Sequence, residues 1–132
     1  MNSTFGNTLT TFALIISTAP TDNKTYTALM FANAIIEQGH NINGVFFYQQ
    51  GVLNANAYVQ TPSDEVNLLT KWQEFTQTTN VALHMCITAA ERRGLTDSND
   101  DGMQNNIDKC FTISGLGELV VLTSAADKVV QL

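Results

Sequence analysis

The stretch VALHMCITAAERRG, residues 81–94, runs from an apolar segment through a cysteine directly into helix-forming residues. Its first half reads as a buried β-strand, and Thr88–Arg93 reads as a short helix ended by Gly94. A continuous apolar strand that leads into a helix is typical of a parallel sheet covered on both faces. This stretch therefore predicts an α/β protein.

Similar units flank this stretch on both sides. Buried strands are predicted at 12–17 (FALIIS) and 42–48 (INGVFFY), with shorter ones at 112–113 and in the final residues 127–132. Helices are predicted at 24–38, from an N-cap at Ser63 onward, and at 115–125. The alternation predicts a single-domain three-layer α/β/α sandwich with a mainly parallel five-stranded sheet. Residues 1–10 form a flexible N-terminal extension in this interpretation, and residues 11–132 form the domain.

Composition and charge narrow the class of protein. With 132 residues and 44% hydrophobic residues, the chain has the material for one ordinary core. No apolar block is long enough to span a membrane, and no basic segment precedes FALIIS as it would in a signal peptide, so we expect a cytoplasmic protein. The net charge of −6 repels phosphate backbones, so direct nucleic-acid binding is not expected.

Cys86 is the principal candidate for a reactive residue. Ligands and reactive groups of such folds gather beyond the carboxyl ends of the strands, where Cys86 is predicted to lie. Unpaired N–H groups at a helix start favour the thiolate, which is the nucleophilic form of cysteine. Free cysteines are also among the most buried residue types, so an inert core cysteine remains the alternative.

His84 and Cys110 are weaker candidates. His84 faces the same side of its strand as Cys86, but two residues along a strand span about 6–7 Å, beyond direct hydrogen-bond reach. A structural histidine is therefore the default interpretation. Cys110 follows an acidic loop and is interpreted as a structural thiol, because a disulfide with Cys86 is unusual in a reducing compartment.

The acidic loop DSNDDGMQNNID, residues 97–108, partly fits a calcium-binding pattern. Asp97, Asn99, Asp101 and Gly102 match its first half, and Asp108 falls on its twelfth position, where a bidentate glutamate is expected. The eighth position, which is normally apolar, holds Gln104. A solvated acidic loop without a metal is the favoured interpretation.

Several separated blocks in one order resemble the DsrE-like family over residues 12–132. These blocks are FALIISTAP, GVFFYQQGVLNANAYV, SDEVNLLTKWQEF, VALHMCITAAERRG and FTISGLGELV with the terminal DKVVQL. The resemblance implies a sulfurtransferase subunit that carries sulfane sulfur as a persulfide on Cys86. It also implies relay of that sulfur toward 2-thiolation of wobble uridine in tRNA. Thiolate exchange with a persulfide needs no metal and no organic cofactor.

The resemblance also implies partners. Two sister DsrE-like subunits would complete a heterohexamer with two copies of each chain, a TusA-type carrier would donate sulfur, and a TusE-type protein would accept it. A subunit of a sulfur-oxidation pathway and a non-catalytic assembly subunit are the alternatives. Asn54 and Asn56 could donate hydrogen bonds to the persulfide or could be purely structural. We expect Val52, Leu53, Tyr58 and Val59 to be exposed as a contact surface for partners.

Overall fold

Five short strands and four α-helices alternate along the described part of the chain, as the sequence predicts. The computed structural model describes residues 9–98 and 104–132. The strands are β1 (Thr11–Ile16), β2 (Asn41–Phe47), β3 (Leu83–Cys86), β4 (Phe111–Ser114) and β5 (Lys128–Gln131). The helices are α1 (Asn23–Glu37), α2 (Leu68–Thr79), α3 (Ile87–Glu91) and α4 (Leu116–Ala125), with a 3-10 helix at Gln49–Ala55. The predicted N-terminal extension lies mostly outside the described residues.

The sheet has the strand order β4-β3-β2-β1-β5, and every neighbouring pair is parallel. The first four strands step in one direction across the sheet, and the last crossover returns to the far side of β1. Right-handed crossovers that step in opposite directions place their helices on opposite faces of a sheet. The three-layer α/β/α sandwich predicted from the sequence is thereby confirmed, with a sheet that is parallel throughout.

Side chains of β2 show the two faces. Phe47 packs edge-on against Trp72 of α2, with ring centroids 5.2 Å apart. Gly44 faces the other way, because a Cβ at this position would come within 2.8 Å of the Leu122 side chain of α4. Since residues of opposite parity point to opposite faces of a strand, α2 and α4 cover different sides of the sheet.

The start of α2 differs from the prediction. The N-cap is Asn67, whose side chain accepts a hydrogen bond from the Thr70 N–H at 3.1 Å, and Ser63 does not cap the helix. Residues 62–65 form a turn instead, closed by a hydrogen bond from the Glu65 N–H to the Pro62 carbonyl. Asparagine and serine are equally good N-caps, so capping preference alone does not determine where this helix begins.

The segment after β2 also differs from the irregular loop that was predicted. Val52 is fully buried within the 3-10 helix, so its predicted exposure is wrong, and Leu53 is half-buried. Tyr58 and Val59 are exposed as expected. No helix among the described residues is long and apolar enough to span a membrane.

Candidate functional site

Cys86 lies where the sequence predicts, at the carboxyl end of the sheet. It is the last residue of β3 and the N-cap of α3, and it is 3% exposed. α3 has only five residues, so its macrodipole is small, and the unpaired N–H groups of its first turn are the main local source of positive potential. The thiol is close to the edge of the sheet, but neighbouring groups must move before a large reactant touches it.

Ser114 lies opposite Cys86 on the neighbouring strand β4. The two residues are partners in the β3–β4 register, and His84 is the partner of Thr112. Register partners of a parallel pair point to the same face, so His84, Cys86 and Ser114 form a triangle on the face of the sheet that α4 covers. A hydrogen bond of 3.0 Å joins His84 Nδ1 to Ser114 Oγ.

Ser114 was missed by the sequence interpretation, whereas His84 was considered. The sequence does hold a signal for Ser114. A hydroxyl residue at the end of a predicted parallel strand lies at the same end of the sheet as Cys86. The sequence could not pair β4 with β3, and without that register Ser114 had no defined neighbour.

The 3-10 helix Gln49–Ala55 packs against β3 and α3. Gly51 allows it to approach the end of β1, because a Cβ at this position would lie 1.9 Å from the Ile16 carbonyl oxygen. Arg93 fixes the other side: its Nε donates to Gln50 Oε1, and its Nη1 donates to the Ala89 carbonyl at 2.9 Å. The 3-10 helix, which packs against the two elements that meet at Cys86, is therefore attached both to β1 and to the end of α3.

Asn54 and Asn56 have structural hydrogen bonds. Asn54 Nδ2 donates to the Thr18 carbonyl at 3.1 Å and to the Gly51 carbonyl at 2.9 Å, and Asn54 is 2% exposed. Asn56 Oδ1 accepts from the Tyr58 N–H at 2.9 Å, which forms a local turn. Because both hydrogens of the Asn54 amide nitrogen are engaged, the structure favours the structural role over donation to a persulfide.

Cys110 lies at the opposite end of the strands from Cys86, the amino-terminal end. It precedes Phe111, which is the register partner of Leu83, three residues before Cys86. Three residues of strand span about 10 Å, whereas a disulfide needs Cα atoms closer than about 7 Å. Both cysteines are free. Burial, then a hydrogen bond to Asp108 and the charge of that carboxylate, raises the pKa of the Cys110 thiol to about 12.

The candidate calcium loop is only partly described, because Asn99, Asp101 and Gly102 lie outside the described residues. Asp108, its proposed twelfth ligand, accepts hydrogen bonds from Gln73 Nε2 at 2.9 Å and from the Cys110 N–H at 3.0 Å. Within 9–98 and 104–132, no group of three acidic, histidine or cysteine side chains is arranged to hold a metal ion.

Asn106 forms a neck for this loop. Its N–H donates to the Thr96 carbonyl at 3.1 Å, and its side chain accepts from the Thr96 N–H at 2.8 Å. Its Nδ2 also donates to the Gly94 carbonyl at 2.9 Å. The hydrogen bonds of Asn106 thus join the two ends of the loop.

A cavity of about 500 Å³ opens between the start of α1, the 3-10 helix and the start of α2. Tyr26, Leu53, Asn54 and Leu69 are among its lining residues, and Cys86 is not. The cavity is therefore separate from Cys86 and from the hydrogen-bonded pair of His84 and Ser114.

A model of the DsrE/DsrF-like family matches residues 11–132. The chain belongs to the DsrE/DsrF-like family. It is 42% identical over 109 residues to a protein of Pasteurella multocida named sulfurtransferase TusD homolog, covering 81% of this chain and 86% of the relative. It is 40% identical over 126 residues to sulfurtransferase TusD of an Enterobacter species, covering 91% and 98%.

The fold has a solved counterpart. The crystal structure of the ychN protein from E. coli matches with a TM-score of 0.73 at 21% identity, covering 95% of this chain and 100% of that one. At this identity the likeness concerns the fold. It agrees with the five-stranded α/β architecture described above.

Proposed function

We propose that this protein is a sulfurtransferase that accepts sulfane sulfur as a persulfide on Cys86 and passes it to an acceptor protein. The observation that carries the proposal is the position of Cys86, the last residue of β3, at the start of a helix in a family whose relatives are named sulfurtransferase TusD. Cys110, in contrast, is kept protonated by its raised pKa.

The proposed reaction is two thiol exchanges. In the first, the Cys86 thiolate attacks the outer sulfur of a donor persulfide, the donor S–S bond breaks, and the donor leaves as a thiolate. In the second, an acceptor thiolate attacks the outer sulfur of the Cys86 persulfide, and Cys86 leaves as a thiolate. No electrons are gained or lost overall, and no cofactor takes part.

The proposed setting is a cytoplasmic relay toward 2-thiolation of tRNA wobble uridine, with a TusA-type donor and a TusE-type acceptor. The net charge of −6 supports transfer to another protein over direct binding of tRNA. The TusD name of the relatives supports this branch of the family over a sulfur-oxidation subunit.

The proposed assembly is a heterohexamer with two sister DsrE-like subunits. Its support lies on α4 and the neighbouring edge strand β5, where Leu116, Val120, Val121 and Val129 are all exposed, the two valines of α4 by 61–62%. Exposed apolar side chains grouped on neighbouring elements are typical of subunit contacts. This surface replaces the loop around Val52 as the main candidate contact.

The test of the sulfur-carrying residue is intact-mass analysis after incubation with a persulfide donor. The wild type and Cys110→Ser should each gain one sulfur atom, and Cys86→Ser should gain none. Loading of Cys86→Ser to the wild-type level would refute the assignment and would place the sulfur on Cys110, whereas a wild type that gains no sulfur would favour a non-catalytic assembly subunit.

The test of assembly is light scattering on the chain alone and after co-expression with its two sister subunits. The wild type should join one stable complex, and Val120→Lys with Val121→Lys should not. A strict monomer that ignores both sisters would contradict the heterohexamer.

A further inference from the structure

His84 and Ser114 form a pair that the sulfur-transfer chemistry described above does not use. The imidazole and the hydroxyl are joined by a hydrogen bond of 3.0 Å between Nδ1 and Oγ. Both side chains are half-buried on the same face of the sheet as Cys86. A half-buried histidine next to a reactive thiol is a candidate proton acceptor.

Ser114 is the residue that brings the histidine within reach of Cys86. Neighbouring strands lie about 4.8 Å apart, so the side chains of the register partners Cys86 and Ser114 are adjacent. Rotation about χ1 is enough to bring a thiol and a hydroxyl at this spacing within hydrogen-bond reach. In the relay proposed below, this rotation bridges the 6–7 Å that separates His84 from Cys86 along β3.

We propose that Ser114 and His84 form a relay that accepts the proton of the Cys86 thiol and stabilises its thiolate. The relay makes both residues positioning residues for Cys86. Its part in sulfur transfer rests on the proposed function, whereas its effect on the thiol itself does not.

The proton moves without any further reactant. The Cys86 thiol donates its proton to Ser114 Oγ as the Ser114 hydroxyl donates its own to His84 Nδ1, which leaves a thiolate, a neutral hydroxyl and an imidazolium. When Cys86 next leaves as a thiolate, the same hydroxyl can donate a hydrogen bond to the departing sulfur. The tautomer required is the neutral imidazole with its proton on Nε2.

Few other charges surround this relay. β2, β4 and the 3-10 helix carry no titratable side chain within their bounds, Tyr48 lies between β2 and the 3-10 helix, and α4 carries Glu118. The titratable residues of α3 and the turn after it are Glu91, Arg92 and Arg93, and the Arg93 guanidinium is engaged by Gln50 and Ala89. His84 is therefore the principal candidate to take up a proton from Cys86 at neutral pH.

The test measures the rate of iodoacetamide reaction at Cys86 against pH, in a Cys110→Ser background. In Ser114→Ala and His84→Asn, the pH of half-maximal rate should rise by about one unit, so that the rate at pH 7 falls roughly tenfold. His84→Asn keeps a hydrogen-bond acceptor for Ser114 but cannot take up a proton, so a purely structural pair would not show this shift.

Two further variants serve as controls. Thr112→Val removes a hydroxyl from the same strand and the same face, two residues before Ser114, and should leave the pH profile unchanged. Ser114→Thr keeps the hydroxyl and should restore most of the wild-type profile. Profiles of Ser114→Ala and His84→Asn that superimpose on the wild type would overturn the relay.

A wild-type measurement makes the test independent of how the variants fold. The imidazole of His84, followed by NMR, should titrate at lower pH after Cys86 is capped with neutral iodoacetamide, because the thiolate that favours the imidazolium is gone. An unchanged titration would also overturn the relay. Failure of Cys86 to load sulfur, together with shifted profiles, would instead refute the proposed function alone.

Discussion

Cys86 and Cys110 lie at opposite edges of the same parallel sheet. At the carboxyl edge, Cys86 has a helix start beside it, a hydroxyl across the ladder and a histidine bonded to that hydroxyl. At the amino edge, the partial burial of Cys110 and the neighbouring carboxylate of Asp108 raise the pKa of its thiol to about 12. The difference teaches that the two ends of one parallel sheet place a cysteine in opposite surroundings, a helix start and a hydroxyl for Cys86 and a carboxylate for Cys110.

The largest expected effect concerns the reactivity of the two thiols. At pH 8 a thiol of pKa about 12 is about one part in 10⁴ thiolate, so limiting iodoacetamide should label Cys86 well before Cys110. Peptide mass analysis gives the ratio. In denaturant the two sites should react at similar rates, and labelling of the folded protein that begins at Cys110 would break the comparison.

The second largest effect is expected when the 3-10 helix is pushed away from the end of β1. Gly51→Ala would place a Cβ against the Ile16 carbonyl, and we expect the free energy of unfolding to fall by about 3 kcal/mol, with reduced sulfur loading. Urea denaturation measures the first quantity and intact mass the second. Gly117→Ala is the matched control, since a Cβ at this position of α4 meets nothing within 4 Å and should stabilise the helix by up to about 1 kcal/mol.

A smaller effect is expected when the charge beside Cys110 is removed. Asp108→Asn keeps an oxygen that can accept from the Cys110 N–H but removes the negative charge, so the pKa of the Cys110 thiol should fall. Its alkylation rate at pH 9 should rise by about three- to tenfold, because burial, the larger cause of the raised pKa, remains. The rate at Cys86 should not change, and a change at both sites would mean that the two edges are coupled.

The smallest effect is on stability at alkaline pH. The folded protein holds the Cys110 proton up to about pH 12, whereas the unfolded chain releases it near 9.0, so this residue lowers the free energy of unfolding as pH rises between these values. Cys110→Ser should remove this loss, which we expect to be below about 1 kcal/mol at pH 10 because the site is partly solvated. Urea denaturation at pH 8 and pH 10 tests it, and equal losses in both proteins would contradict the prediction.

The strands and the position of Cys86 could be predicted because they are local. Short apolar runs such as FALIIS and INGVFFY predict buried strands from their own residues alone. A cysteine between such a run and a helix falls on the carboxyl edge of the sheet. The burial of Val52 and the start of α2 at Asn67 could not be predicted in this way. Both depend on contacts with distant parts of the chain.

Ser114 shows the same limit within the candidate site. Its meaning depends on the register that places it opposite Cys86, 28 positions earlier in the sequence. Residue spacing along β3 places His84 on the same side of the strand as Cys86, but the distance of about 6–7 Å argues against direct contact. Ser114 of the neighbouring strand β4 lies opposite Cys86 and bonds to His84. This arrangement depends on the register of the two strands, which is a property of the sheet as a whole.

The neck that Asn106 makes with Thr96 and Gly94 has a consequence for how the chain tolerates changes in length. Because this neck holds the two ends of the loop together, we expect residues inserted between them to cost mainly the entropy of a longer closed loop. Doubling the length of such a loop costs about 0.6 kcal/mol. A small reporter sequence inserted after Ser98 should therefore leave both cysteine edges in place, which makes this loop a suitable point for a fluorescent or affinity label on the assembled protein.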